Sequence, residues 1–314
     1  MMLDITVAIC TYNGANRIKQ VLDRLHSQVN SKDISWEIVV VDNNSTDHIK
    51  QVIDGYQKTH FSTTTLRYLF EPEQGAAFAR LRAVHEASGH LVGFLDDDTL
   101  PDENWLVNAY EFAQTHPDVG AYGGQIHGEF ETEPSPEFKR IAIFLAIVER
   151  GSTPHLYTRV LPPSAGLVVR RQAWLESVPK RPFLTGRTSH SMLASEDIEA
   201  IAHIQKAGWE IWYNPTMQIY HQIPAWRLER TYLISLVRGI GLAKHHIRMI
   251  RLDVWQRPPA FLAYLINDLI KTASYFIKHQ KVLKKDLSTA CQMELLRSGL
   301  ISPFYIWSHH LNSK

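Results

Sequence analysis

Cysteine is nearly absent: Cys10 and Cys291 are the only two in 314 residues. Two thiols cannot build a disulfide framework or a thiolate zinc site, and they fit a reducing compartment. Charge of one sign is equally scarce. Lys and Arg number 33 against 32 Asp and Glu, a formal net charge of +1. Without a basic excess, nucleic acid is not the expected partner. No long uncharged apolar run offers a transmembrane helix. Met1 to Asp4 leads straight into a strand, so no signal peptide is expected. No Gly-x-Gly-x-x-Gly follows the first strand and no Gly-Lys-Ser/Thr loop occurs, which removes two common phosphate-binding devices. Repeats and low-complexity tracts are missing as well. What remains is a globular chain, sized for one large domain or two modest ones, with 45% hydrophobic residues to form a core.

The first half alternates strand and helix. Ile5 to Cys10, Glu37 to Val41 and Leu66 to Phe70 read as strands, and Leu91 to Leu95 as a buried one. Between them, Ile18, Val21, Leu22 and Leu25, and then Ile49, Val52, Ile53 and Tyr56, fall at helical spacing. Gly75 to Ala87 and Asn104 to His116 read as further helices. Short strand–helix alternation of this kind predicts βαβ units and a mostly parallel sheet. The second half is less regular. Tyr122 to Gln125 and Ser164 to Arg170 read as strands, Ile141 to Val148 as helix or buried strand, and Phe183 to Ala194 as a mobile loop. A helix is expected to begin after Ser195, then two short strands, Trp209 to Tyr213 and Met217 to Tyr220. A basic helix over Leu228 to His246 follows, and a helical tail from about Pro258.

The chemistry gathers where strands end. Leu91 to Leu95 runs into Asp96-Asp97-Asp98, at the rim where ligands of open α/β sheets sit. Three adjacent carboxylates repel, and hard oxygen donors suit Mg2+ or Mn2+. Strand alternation would point Asp96 and Asp98 one way, leaving Asp97 structural; a solvated acidic turn is the bland alternative. Asp42 and Tyr12 end strands on the same rim. They could hold a base edge and stack on a base, or form an Asx-turn and an ordinary loop tyrosine. Glu196-Asp197 at a helix start either complements the helix dipole or supplies a general base. His221, after a short strand, could complete an oxygen-rich Mn2+ site. Arg227, Arg230 and Arg238 could pair a diphosphate or form a solvated basic face.

Read together, these pieces resemble an inverting family 2 glycosyltransferase of the non-processive bacterial type. Six segments carry the resemblance in order: Thr11-Tyr12-Asn13; Val41 to Asp47, with Asp42 and Asn44; Gly75 to Arg80; Phe94 to Asp98; Glu196-Asp197; and Pro215 with His221. Leu81-Arg82-Ala83 departs from the usual Asn and Gly after the arginine, and no Gln-x-x-Arg-Trp of processive synthases occurs. The resemblance implies a GT-A fold, α/β with a Rossmann-like sheet flanked by helices. Its domain would span residues 1–250, a nucleotide half 1–125 and an acceptor half 126–250, with a helical extension over 251–314. It implies that Thr11, Tyr12, Asn13, Asp42, Asn44, Arg80, Asp96 and Asp97 bind the nucleotide, and that Asp98 and His221 hold Mn2+ or Mg2+. Asp197 would be the catalytic base, with Glu196, Arg227, Arg230 and Arg238 toward acceptor or diphosphate. The expected donor is a nucleotide-diphosphate sugar, UDP first, with GDP and dTDP open. The expected acceptor is a saccharide or lipid-linked oligosaccharide in polysaccharide biosynthesis.

Two other readings compete. One is an inactive glycan-binding or scaffold protein on the same fold. The other is a nucleotidyltransferase, for which Arg17-Ile18-Lys19 is a poor basic signature. In the tail, Trp255, Phe261, Tyr264, Leu265, Tyr275 and Phe276 mix with Lys271, Lys278, Lys281, Lys284 and Lys285. That pattern suits an interfacial helix, packing on the chain's own domain, or a homodimer contact. The expected location is cytoplasmic, with peripheral contact at the inner face of the membrane as an option.

Overall fold

The computed structural model describes residues 2–61, 64–158, 160–187 and 192–312. Its first half is β1 (Leu3–Thr11), α1 (Ile18–His26), β2 (Trp36–Asp42), α2 (Ile49–Thr59), β3 (Thr65–Phe70), α3 (Ala76–Glu86), β4 (Gly89–Asp96), β5 (Thr99–Pro101) and α4 (Trp105–Thr115). Then come β6 (Val119–Phe130), β7 (His155–Leu156), β8 (Val168–Arg170), α5 (Arg171–Ser177), α6 (Glu196–Lys206) and β9 (Glu210–Ile223). Three long helices close the chain: α7 (Arg230–Ile250), α8 (Arg257–His279) and α9 (Leu287–Asn312).

One mixed sheet runs in the order β3-β2-β1-β4-β8-β6-β9-β5, with β7 paired to β9. β3, β2, β1 and β4 are mutually parallel, and β8 joins β4 antiparallel. β1 is apolar on successive residues because both its faces are covered: Ile5, Val7, Ala8 and Ile9 are all fully buried. α1 closes over the sheet with Ile18, Val21, Leu22 and Leu25, the four residues its 3.6 periodicity singles out. Each such side chain, fully buried, contributes about 1.5–3 kcal/mol.

Three expectations change. The two short strands before α7 are one, β9, running through Asn214-Pro215-Thr216. Proline has no N–H to give a ladder, and the pairing with β6 shifts register there, between Gly123 and Gln125. At the shift the backbones nearly touch: a Cβ on Gly124 would lie 1.8 Å from the Met217 carbonyl oxygen. Ile141 to Val148 is neither a long helix nor a strand but contains a 3-10 turn, Ala142–Leu145. Finally, β4 stops at Asp96, so Asp97 and Asp98 lie in a turn and strand alternation does not govern where they point. Of the expected loop from Phe183 to Ala194, residues 188–191 lie outside the described residues; the others form neither helix nor strand.

α7 and α9 share a second core in which Leu233, Leu236, Val237 and Cys291 meet Ile223 of β9 and Leu145. No helix among the described residues is long and apolar enough to cross a membrane.

Candidate functional site

Sheet register assembles the rim. Thr11 lies beside Asp42, and Cys10 beside Asp96, so the carboxyl ends of β1, β2 and β4 are level. β5 then pairs with β9, setting Thr99 against His221, and the Gln222 N–H donates to the Asp98 carbonyl at 2.9 Å. Two residues far apart in sequence are thereby neighbours: His221 Nε2 is 3.7 Å from Asp98 Oδ2.

The three aspartates take three different sets of partners. Asp97 accepts from the Arg17 guanidinium at 2.8 and 3.0 Å and from the Thr11 hydroxyl at 2.5 Å. It anchors the loop after β1 to the end of β4, and only glycine fits at residue 14, where a Cβ would lie 2.1 Å from Asp97 Oδ2. Burial pushes the Asp97 carboxyl up, against the pull of Arg17. Asp96 is the open one, its side chain 39% exposed, with Arg80 Nη2 at 3.6 Å. Asp98 is buried and 3.0 Å from Arg227 Nη2. Burial opposes its ionisation, but His221, Arg227 and Arg17 outweigh that and hold its carboxyl far below the usual range.

Arg227 comes from the 3-10 turn Ala225–Leu228, just ahead of α7. Its guanidinium bridges Asp98 and His221, donating to His221 Nε2 at 3.0 Å, while His221 Nδ1 donates to the Leu145 carbonyl at 2.9 Å. That second bond fixes the ring and leaves Nε2 as the lone-pair side, the arrangement metal-ligating histidines use. Arg227 Nε is buried with no hydrogen-bond partner. An unsatisfied buried donor beside carboxylates fits a site made for an anionic oxygen.

Among the described residues, no three His, Cys, Asp or Glu form a closed metal cage. Mg2+ and Mn2+ do not need one, since such ions are held by one or two carboxylates plus substrate phosphates and waters. Asp98, His221 and the exposed Asp96 offer oxygen and imidazole donors of the right kind for Mn2+. A cationic guanidinium already lies between Asp98 and His221. The residues therefore fit a divalent ion.

A buried arginine connects this cluster to the helix bearing Asp197. Arg80, on α3, is 6% exposed and donates to Glu196 Oε1 at 2.8 Å while facing Asp96. Removing one partner of so buried a pair costs about 3–5 kcal/mol. Glu196 and Asp197 open α6. Asp197 accepts from the Ser164 N–H at 2.9 Å and the Ile198 N–H at 2.8 Å. Burial, reinforced by the neighbouring Glu196 charge, pushes its carboxyl up, with Arg80 opposing.

On the β1–β2 side, Tyr12 is 42% exposed at the rim. Asp42 is buried, accepting from the Tyr68 hydroxyl at 2.6 Å and from the Ser45 N–H, three residues on, at 2.9 Å. Asn13 joins the two rim loops: its N–H donates to Ser45 Oγ and its Oδ1 accepts from the Thr46 N–H. Asn44 donates to the Pro72 carbonyl.

Two expected site residues lie elsewhere. Arg230 donates to the Leu283 carbonyl at 2.9 Å, and Arg238 pairs with Glu294 of α9 at 2.6 Å. Both sit on α7, which packs against α9, so the C-terminal helical region takes them and only Arg227 reaches the carboxylates. Conversely, Arg187 was not singled out by sequence. It donates to the Tyr232 hydroxyl at 2.8 Å. Desolvation opposes its charge, but Tyr232, Glu196, Asp96 and Asp98 outweigh that and raise its pKa, which places it in the field of the cluster. The available signal was a lone cation in a small-residue loop just ahead of Glu196-Asp197. Asn43, buried, was also missed; it holds the Gly75 N–H and the Glu73 carbonyl at 2.7 Å each, fixing the entry to α3.

Comparison with known proteins follows the same outline. Residues 6–174, more than half of the chain, match the family model described as glycosyl transferase family 2. Glycosyltransferase AglE of Haloferax volcanii is 36% identical over 105 residues, 32% of this chain and 33% of that protein, so the chain spans about a third of that relative. Glucosyl-dolichyl phosphate glucuronosyltransferase of the same organism is 21% identical over 297 residues, 94% of this chain and 91% of that protein. The solved mannosyltransferase PcManGT from Pyrobaculum calidifontis, in complex with GDP-Man and Mn2+, superposes with a TM-score of 0.60 at 21% identity, over 97% of this chain and 88% of that one. GalNAc-T7 with UDP, GalNAc and Mn2+ superposes with a TM-score of 0.55 at 15% identity, over 79% of this chain and 49% of that one. At these identities the structural likeness is one of fold, the GT-A arrangement.

Proposed function

Because the chain belongs to glycosyl transferase family 2, we propose that it moves a sugar from a nucleotide-diphosphate donor to a saccharide or lipid-linked acceptor, inverting the anomeric centre. One observation carries the reading: Asp96, two residues ahead of the Asp98 that faces His221 and Arg227, faces Arg80, and Arg80 donates to Glu196 at the start of the helix bearing Asp197. A donor end and an acceptor end are built into one connected set of charges.

The residues divide the work as follows. Tyr12 stacks on the base and Asp42 accepts from its edge, using lone pairs beyond those given to Tyr68 and Ser45. Asp98 and His221, with Asp96, hold Mn2+ or Mg2+, which when bound neutralises diphosphate charge as a Lewis acid. Arg227, through its unpartnered Nε, and Arg187 add positive charge toward the leaving diphosphate. Asp197 takes the proton of the acceptor hydroxyl as that oxygen bonds to the anomeric carbon. The bond to the diphosphate oxygen breaks and the nucleoside diphosphate departs, through an oxocarbenium-like transition state. A UDP-sugar is the first donor to test. The solved relatives bound to GDP-Man or UDP, each with Mn2+, support a nucleotide-sugar site of this class.

Calorimetric titration with UDP, GDP and dTDP, each with and without Mn2+, tests this. One nucleotide should bind, and more tightly with the metal. A folded protein that binds none of them would overturn the reading in favour of a glycan-binding scaffold on this fold.

The pH profile gives a second test. Asp197 must be ionised to accept a proton, and burial with the Glu196 charge raises its pKa. The acidic limb of kcat/KM should therefore lie above the range of an exposed aspartate. Glu196→Gln removes the adjacent negative charge and releases Arg80 toward Asp197, so the limb should move to lower pH. A limb that stays in place would belong to another group.

A further inference from the structure

α8 has a docked edge and an undocked one. On the docked edge Asp268, 3% exposed, is held by Lys244 at 3.1 Å and Arg248 at 2.6 Å, both from α7, and Arg248 lies 4.5 Å over the Tyr264 ring. On the other edge Leu262, Ile266, Leu269, Ile270 and Ile277 are each more than half exposed, and Phe276 is 47% exposed. At 3.6 residues per turn these side chains fall within an arc of about 120°. Just ahead of the helix, Val254 and Trp255 are 76% and 75% exposed. A contiguous apolar stripe of this size on a surface helix marks an interaction site.

Along the helix and the turn after it the exposed charge is basic, while Asp253, just ahead of Val254, is an exposed acid paired with Lys206 at 3.7 Å. From residue 257 to 285 the bases are Arg257, Lys271, Lys278, Lys281, Lys284 and Lys285, all exposed, and the only acid is the buried, doubly paired Asp268. In a chain whose net charge is +1, this is a local excess. On the helical wheel Lys271 and Lys278 fall on the polar face, about 80–100° beyond the edge of the stripe. A second copy packed on the same stripe would meet the same bases and no acid from this helix. A surface of anionic headgroups over acyl chains complements an apolar stripe whose helix carries its bases on the polar face and in the turn that follows, and Trp255 suits the boundary between headgroups and chains.

We propose that α8, together with Trp255, docks the protein on an anionic lipid bilayer, lying in the interface. This assignment is independent of the transfer reaction.

Flotation of the full chain with vesicles tests it, using phosphatidylcholine alone and phosphatidylcholine mixed with phosphatidylserine. Binding is expected to the mixed vesicles, with release at high salt. Lys271→Gln with Lys278→Gln should weaken it by at most about fivefold per charge, roughly 25-fold together. Ile266→Glu with Ile270→Glu should abolish it. Both positions are exposed, so an unchanged circular dichroism spectrum and nucleotide affinity would exclude unfolding as the cause. Equal binding to both vesicle types would overturn the anionic assignment. No binding by the folded protein would overturn the proposal outright. So would a concentration-dependent dimer that Ile266→Glu splits without any vesicle binding, which would give the face to a second copy.

Discussion

Asp197→Asn is expected to lower kcat by about 10²–10⁴-fold, the contribution of a positioned general base, while nucleotide affinity stays within about twofold. The substitution keeps the volume of the side chain and one acceptor oxygen. It removes the group that takes the acceptor proton, and one of the two backbone N–H groups now bonded to the carboxylate, from Ser164 and Ile198, loses its partner. That lost bond costs about 1–3 kcal/mol of stability, so thermal unfolding should be measured beside turnover. A variant that stays folded, binds nucleotide and fails to transfer places Asp197 at the acceptor. Activity within tenfold of the wild type would remove it from that role, and lost nucleotide binding would move it to the donor site.

The second large effect is expected at the other end of the cluster. Asp98→Asn should weaken metal-dependent nucleotide binding by at least roughly 10–100-fold, since even the groups that orient a metal's ligands are worth that much. Binding measured without Mn2+ should change far less. The physical reason lies in what Asp98 already does: its carboxylate, held strongly ionised, faces His221 and Arg227 together. The amide keeps the shape and loses the charge, which leaves Arg227 with a single neutral contact on that side. If the Mn2+ dependence of the variant matches that of the wild type, the ion is held elsewhere and the motif is a structural turn.

What could be read from the sequence follows from how strongly each signal is tied to local chemistry. β1, β2 and β4 were legible because a strand covered on both faces must be apolar almost throughout, and each ends in the residues that line the rim. Asp98 and His221 were legible as motif members, but their contact rests on the pairing of β5 with β9, which spacing alone does not reveal. Arg230 and Arg238 were indistinguishable from Arg227 in sequence. Helical periodicity finds a polar face without saying that α9 will occupy it. Arg187, Arg17 and Asn43 act through partners distant in sequence, such as Asp97 for Arg17 and the entry to α3 for Asn43. Strand alternation is not what sets the three aspartates apart, because a strand's period applies only while the strand lasts and β4 ends at Asp96; Asp97 is still the one held in place by Arg17 and Thr11.

The charged joints across the site are long in sequence. Arg17 reaches Asp97 across 80 residues and Arg80 reaches Glu196 across 116. No stretch of chain makes the site by itself, and the residues matched by the family model, 6–174, contain Arg80 and Asp98 but neither Glu196 nor His221. During folding such contacts close late, because the entropy of large loops must be met before they gain anything. A chain stopped at α5 holds an Arg80 guanidinium whose Glu196 partner is missing and an Asp98 carboxylate whose His221 has yet to arrive. These contacts are thus properties of the finished molecule, made only when α6 and β9 have reached their places.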